Sequence, residues 1–172
     1  MVRQSLLALI LILVAGCSPK ARVPDCDPSA SRLFLYSQNL KTHKDFDKLD
    51  DALGMGEGVW KAYNLMLKLD PDNTLLKVRA AWALFYQGPP EKGASAALSL
   101  LSELEKSHPK DPDVRFLKIV FATEEYLKNR EESSAGHITK LTLAFQRDFP
   151  QYRGPHGTTI TRILKILQGT GH

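Results

Sequence analysis

Apolar residues recur at the three- and four-residue spacing of α-helices along most of the chain after residue 31. Breaks rich in Pro, Gly, Asp and Asn separate these periodic segments. The sequence lacks sustained apolar/polar alternation and has no Asn-Gly or Asp-Gly turn between apolar runs, so strand signals are missing. The pattern predicts an all-α protein. Its predicted helices cover about 31–41, 45–53, 57–69, 74–87, 92–107, 113–128, 136–148 and 157–168.

The predicted helices differ in how many of their sides are apolar. The helix over 74–87 has almost no polar side, and the one over 113–128 is similar. A helix that is apolar all round is buried on more than one face. The helix over 92–107 has a single apolar face. Nearly apolar first helices followed by one-sided second helices are typical of layered helix pairs.

Three of the predicted helices end at a proline, which cannot continue a helix. These prolines are Pro71, Pro109 and Pro150, spaced 38 and 41 residues apart. Another helix follows each of them. The spacing indicates a repeating unit of two helices, the second of which stops at the proline.

The segment 74–109 resembles the tetratricopeptide repeat (TPR). Ala97, Leu101, Leu104 and Pro109 stand at the spacing of that family's small residue, large residue, small residue and terminal proline in the second helix. Ala81 matches the small residue of the first helix. Leu101 replaces the usual aromatic residue and Leu104 the usual alanine. The resemblance spans about 57–150. It implies a TPR-like solenoid of antiparallel helix pairs, with a compact helical bundle as the alternative.

Two longer connections, over 87–93 and 129–136, both join a first helix to its second helix. In a solenoid such connections emerge on the same edge. A partner could recognise that edge. The favoured interpretation is that both are solvent-exposed loops without a binding role, because surface loops tolerate insertions.

The first residues have the pattern of an export signal. Arg3 supplies a positive charge, and residues 6–14 are all apolar. This run is well short of the ~20 residues that span a bilayer. Its length and its flanking charge are typical of a signal peptide.

The motif Val14-Ala15-Gly16-Cys17 resembles the bacterial lipobox, in which an apolar residue and two small residues precede a lipid-bearing cysteine. The resemblance implies cleavage between Gly16 and Cys17, diacylglycerol on the Cys17 sulfur and N-acylation of the new terminus. An ordinary secretory peptide with a chance cysteine and an uncleaved anchor are the alternatives.

The expected organisation is therefore a removed signal peptide over 1–16, a lipidated N-terminus and tether over 17–30, and a helical domain over 31–172. Prolines among small and charged residues predict an extended tether. Ser18 after the lipidated cysteine implies transfer to the outer membrane, facing the periplasm.

Cys26, between two aspartates, is interpreted as a spectator thiol. The net charge of +4 is spread along the chain, which disfavours nucleic-acid binding.

Residues that could support catalysis or metal binding do not form a recognisable motif. The five histidines include no i, i+4 pair, and surface or capping roles are expected for all of them. The acidic run Asp45, Asp47, Asp50 and Asp51 is interleaved with lysines, which favours a solvated helix face. The glycines at 54–58 predict a helix stop followed by a start. We expect no enzyme activity, no metal and no cofactor beyond the covalent lipid.

These observations favour a lipid-anchored scaffold that binds another envelope protein, such as a pilotin-like or transporter-accessory lipoprotein. Trp82, Phe85 and Tyr86 are the candidate residues of a partner groove, although they could equally be core. A carrier of a lipid or small solute in an inter-helix cavity is the first alternative, and an envelope hydrolase is the second.

Overall fold

The computed structural model describes residues 38–54, 57–129 and 132–169, and this part of the chain is all-α. It has seven α-helices, a 3₁₀ turn over Pro155–Gly157 and no strand. The helices are α1 (His43–Leu53), α2 (Glu57–Leu69), α3 (Thr74–Gln87), α4 (Gly93–Ser107), α5 (Pro112–Asn129), α6 (Glu132–Asp148) and α7 (Ile160–Gly169). No helix within these ranges combines the length and apolar character needed to cross a bilayer. Residues 1–37, including Gly16, Cys17 and Cys26, lie outside the described residues.

Seven of the eight predicted helices correspond to an observed helix, with ends that differ by a few residues. The predicted helix over 31–41 is wrong in its described part, because residues 38–42 form a turn and an extended segment. Thr42 starts α1 instead. Its hydroxyl accepts from the Asp45 backbone N–H, and the Asp45 carboxylate accepts from the Thr42 N–H, which is a complete capping box.

Helices that follow each other in sequence also pack together. Contacts join α2 to α3, α3 to α4, α4 to α5, α5 to α6 and α6 to α7. In addition, α3 contacts α5 and α5 contacts α7, so these three helices form a row. We call them the α3/α5/α7 row. The packing of α1 is different, since α1 packs more extensively on the distant 3₁₀ turn than on its neighbour α2.

Small residues let α3 and α4 approach closely. Ala81 and Ala97 are fully buried, and Leu101 and Leu104 are at most 5% exposed. These are the residues on which the repeat resemblance rests. They belong to the larger core cluster, which continues through Phe116 of α5 and Phe145 of α6. A second cluster holds α1 and α2 against α3, through Leu40, Phe46, Leu49, Val59, Tyr63, Met66, Leu76, Ala80 and Ala83.

The connections are tighter than the sequence suggests. A Cβ on Gly88 would lie 2.9 Å from Gly93 Cα and 2.3 Å from Leu84 O, so the two glycines allow the backbone segments to touch. Gly93 is buried. Pro90, Glu91 and Lys92 are exposed, as expected for a solvated connection, but the close approach of Gly88 and Gly93 means that the connection over 87–93 is not loose at its ends. The connection predicted over 129–136 is also mostly helical, because α5 runs to Asn129 and α6 begins at Glu132.

The chain enters the described domain beside the end of α2. Gln38 Nε2 donates to Asp70 Oδ2 at 3.1 Å. Leu40 then inserts into the second core cluster. Together these contacts fix the point from which the N-terminal segment departs.

Candidate functional site

A cleft of about 250 Å³ opens between the helices of the α3/α5/α7 row. Trp82 and Tyr86 line it from α3, and their ring centroids are 4.9 Å apart. Trp82 is half-buried, whereas Tyr86 is 44% exposed. Apolar side chains from α5 and α7 complete the lining: Val120, Leu127, Ile163 and Ile166. We call this feature the aromatic cleft.

Of the three predicted groove residues, Phe85 packs on α5 rather than in the aromatic cleft. It stacks on Phe121 with ring centroids 4.1 Å apart, and the Lys128 Nζ lies 5.4 Å from its centroid. Neighbouring helix positions point about 100° apart, whereas Trp82 and Tyr86, four positions apart, lie on the same side of α3. The Phe85 ring still meets that of Tyr86 edge-on, with centroids 5.2 Å apart.

Two charged side chains line the aromatic cleft, Glu124 from α5 and Arg162 from α7. The Tyr86 hydroxyl donates to Glu124 Oε1 at 2.9 Å. Burial, reinforced by the charge of Glu124, raises the pKa of Tyr86, so the phenol keeps its proton and remains a donor. Arg162 is exposed, and within the described ranges no carboxylate lies at ion-pair distance from its side chain.

Two other clefts have more polar linings than the aromatic cleft. One, of about 190 Å³, lies where α4, α5 and α6 meet, beside the ion pair between Lys118 and Glu105. The other, of about 440 Å³, lies between α5 and α6. Its lining includes the polar or charged side chains of Glu125, Asn129, Ser134 and His137.

A buried ionic network ties α1 to the rest of the domain. Arg79, 1% exposed, donates through Nη1 to Asp47 Oδ1 at 2.8 Å and through Nη2 to Asp50 Oδ2. The Tyr63 hydroxyl donates to Asp50 Oδ1 at 2.5 Å. The expected solvated face for Asp47 and Asp50 is therefore wrong. A cation on α3, 29 or more residues away in sequence, draws these carboxylates inward.

His156 joins the same network from the 3₁₀ turn. Its backbone has φ of 52°, a left-handed conformation that is strained for a non-glycine residue. The His156 N–H donates to Asp47 Oδ1 at 2.9 Å, and Nε2 lies 3.2 Å from Asp50 Oδ2. Ligand atoms of these three residues lie within 4.8 Å of one another, as in a metal site. The guanidinium of Arg79 already contacts both carboxylates, so a metal ion would have to displace a buried cation.

A separate group of hydrogen bonds, made by His43, Asp113 and Tyr152, holds the start of α1. His43 Nε2 lies 3.1 Å from Asp113 Oδ1, and the Tyr152 hydroxyl donates to the same oxygen at 2.6 Å. Burial alone would raise the pKa of Asp113, but the hydrogen bonds from His43 and Tyr152 outweigh it and hold that pKa below its usual range. Burial also raises the pKa of Tyr152.

The surface role expected for His43 is wrong. The capping role is confirmed at His108, the residue that ends α4.

Comparison with protein-family models, curated proteins and solved structures finds no match for this chain.

The ionic contacts around α1 and the aromatic cleft suit different roles. In the α1 network every carboxylate accepts from a neighbouring side chain, and none of Asp47, Asp50 and Asp113 lines the aromatic cleft. This arrangement is that of a structural ion-pair cluster. The aromatic cleft instead presents accessible apolar surface, which is a feature of a binding surface. Tyr86 and Arg162 are its most accessible polar groups.

Proposed function

We propose that this chain is a lipid-anchored, periplasm-facing lipoprotein that binds another envelope protein through the aromatic cleft. The observation that carries the proposal is the position of Trp82 and Tyr86. Together with Ile166 of α7, they form an accessible apolar surface across the α3/α5/α7 row. Large aromatic side chains at the centre of such surfaces supply much of the binding energy in protein interfaces.

The order of helix contacts supports a TPR-like arrangement. In a stack of helix pairs, each first helix packs on the next first helix, and the row of first helices forms one continuous surface. The contacts of α3 with α5, and of α5 with α7, fit this order. The aromatic cleft lies on that row, where an elongated partner could contact several helices at once.

The volume of the aromatic cleft favours a protein partner over a carried solute. Pockets that enclose small molecules usually measure about 300–1,000 Å³. At about 250 Å³, the aromatic cleft is better matched to one large side chain of a partner. The larger cleft between α5 and α6 has several polar lining residues, which suits a lipid poorly.

The proposed location rests on the lipobox-like motif. Diacylglycerol on Cys17 and N-acylation after cleavage at Gly16 would give the several chains needed for stable anchoring. Ser18 favours the outer membrane. An anchored module whose ionic groups serve structure is suited to an accessory role in assembly, secretion or uptake rather than to catalysis.

Site-specific photocrosslinking in intact cells tests the proposal. A photoreactive amino acid at Ile166, which is 37% exposed, should give one defined adduct with an envelope protein. The matched control is the same amino acid at Leu65, which is 36% exposed but lies on α2, outside the aromatic cleft. The adduct should be identified by mass spectrometry, and Trp82→Ala should abolish it.

The outcome at the two positions decides the question. An adduct at Ile166 that depends on Trp82 and is missing at Leu65 supports the docking function. Equal adducts at both positions, or an adduct that survives Trp82→Ala in folded protein, would show that the cleft is not the binding surface. Copurification of a bound lipid, with no adduct, would favour the carrier alternative.

A further inference from the structure

Helix α2 carries an apolar strip that belongs to neither of the two described core clusters. The strip comprises Gly58, Ala62, Leu65 and Leu69, which recur at the four- and three-residue spacing of one side of a helix. The adjacent side of α2 supplies buried residues to the second core cluster, but these four residues are absent from it. Gly58 is exposed, and Leu65 is 36% exposed. We call this feature the α2 strip.

The α2 strip is not the solvated side of its helix. Lys61, Asn64 and Lys68 occupy that side at their own three- and four-residue spacing, and all three are exposed. Helix α2 is therefore apolar both toward the core and along the α2 strip. A helix that is apolar on more than one side is usually buried on more than one side. This pattern indicates that another segment covers the α2 strip.

The chain enters the described domain at one end of the α2 strip. Gln38 Nε2 donates to Asp70 Oδ2 at 3.1 Å, and Asp70 directly follows Leu69, the last residue of α2. The run Leu33-Phe34-Leu35-Tyr36 is separated from Gln38 by a single serine and consists of apolar and aromatic residues. The chain from Leu33 to Gln38 spans at most about 18 Å when extended, and the α2 strip is about 16 Å long. This run is therefore within reach of most of the α2 strip.

We propose that residues 33–36 pack on the α2 strip and cap the N-terminal end of the domain. Stacked helical units need such a cap, because the outer face of the terminal unit would otherwise leave apolar surface in water. The covalent link through Gln38 favours this occupant over a separate molecule, since a short linker keeps its local concentration in the mM range. The inference goes beyond the proposed function, because the α2 strip lies on a different helix from those that line the aromatic cleft.

Hydrogen exchange of the full chain, purified in detergent, tests this contact. The amides of residues 34–37 should exchange about ten-fold more slowly than in a free peptide of the same sequence. Leu65→Asp places a charge in the α2 strip and should raise their exchange rate about ten-fold, because a carboxylate opposes apolar packing. The control is Leu98→Asp, which adds the same charge at a position of α4 that is 43% exposed. It should leave the exchange of this segment unchanged, and circular dichroism will verify that both variants fold.

A photoreactive amino acid at Leu65 identifies the occupant directly. Irradiation of the purified chain should join this position to residues 33–36 of the same molecule, and digestion followed by mass spectrometry locates the bond. The same amino acid at Leu98 is the control and should give no bond to this segment. Because the measurement uses the purified chain, its result does not depend on whether the aromatic cleft binds a partner.

Four results would overturn the inference. Exchange of residues 34–37 at the free-peptide rate in the native chain would show that the α2 strip does not hold this segment. Protection that is kept in Leu65→Asp and lost in Trp82→Ala would place the segment in the aromatic cleft. Equal loss of protection in Leu65→Asp and Leu98→Asp would trace it to the general stability of the domain. A crosslink from Leu65 that joins two molecules would assign the α2 strip to a second copy of the chain.

Discussion

The backbone N–H of His156 donates to the side chain of Asp47 at 2.9 Å, across 109 residues of sequence. This contact ties α1 to the turn that precedes α7. Arg79 and Asp50 extend it into the interior, so α1 is held by charged groups as well as by the apolar contacts of Phe46 and Leu49. The stability of the domain should therefore depend on individual members of this network.

Removal of the Arg79 charge should destabilise the domain strongly. Arg79→Met would leave Asp47 and Asp50 close together without their cation, and loss of one side of a buried ion pair costs about 3–5 kcal/mol. We expect a loss of about 3 kcal/mol in the free energy of unfolding, measured by urea denaturation at neutral pH. The triple variant with Asp47→Asn and Asp50→Asn should recover part of it. A loss below about 1 kcal/mol in Arg79→Met would contradict the pairing.

The depressed pKa of Asp113 makes a prediction about pH. A carboxyl whose pKa is lower in the folded state contributes stability above its unfolded pKa of about 3.9, and that contribution is lost as the pH falls through the folded value. Asp113→Asn should therefore cost about 1–2 kcal/mol at pH 7 and progressively less below pH ~4. Urea unfolding of both proteins across this range measures the difference. A cost that is independent of pH would show that the charge of Asp113 is not what stabilises the fold.

Gly154 should not tolerate a methyl group. A Cβ there would lie 2.4 Å from Cε1 of Phe116, a ring that is 1% exposed and packed against Tyr152. Gly154→Ala should lower the free energy of unfolding by about 1–3 kcal/mol through overpacking. Gly136→Ala is the control, because Gly136 lies in α6 and a Cβ there would meet nothing within 4 Å beyond its chain neighbours and the backbone of its own helix. It should be neutral or stabilising by up to about 1 kcal/mol. Thermal unfolding of the two variants gives the comparison.

The proposed anchor can be tested at Cys17 itself. Cys17→Ala should abolish incorporation of a labelled fatty acid and leave an uncleaved precursor of higher mass. Cys26→Ala should keep both the label and the cleavage, since Cys26 lies downstream of the lipobox-like motif. Metabolic labelling followed by intact-mass measurement distinguishes the two. Label retained in Cys17→Ala would remove the basis of the proposed location.

Most helix positions could be predicted from sequence because their signals are local. Pro109 and Pro150 follow helix ends, and Gly54 ends α1 with φ of 75°, a conformation that favours glycine. The prediction for 31–41 failed at 38–41, the part that the structure describes, because the apolar pattern does not show where a chain turns. The capping box of Thr42 marks that boundary, and it could have been read from the Thr-x-x-Asp spacing by analogy with the usual Thr-x-x-Glu.

The candidate site was only partly predictable. Trp82 and Tyr86 could be singled out as aromatic residues, but α3 is apolar on nearly every side, so its pattern did not distinguish their face from that of Phe85. The pairing of Arg79 with Asp47 and Asp50 had no local signal at all. It depends on the packing of α1 against α3, which lies two helices later in the chain. The lysines between the acidic residues are typical of a solvated helix face, so the run gave no sign of this pairing.

The entry point at Gln38 also has a mechanical consequence. Any pull from the N-terminal side of Gln38 loads the Gln38–Asp70 contact and α1 before it reaches the other helices, because α1 is the first helix of the described chain. Forced unfolding is governed by the rate at which the loaded element detaches. The short-range ionic contacts of Arg79 and His156 thus set the tension at which the domain would first begin to open.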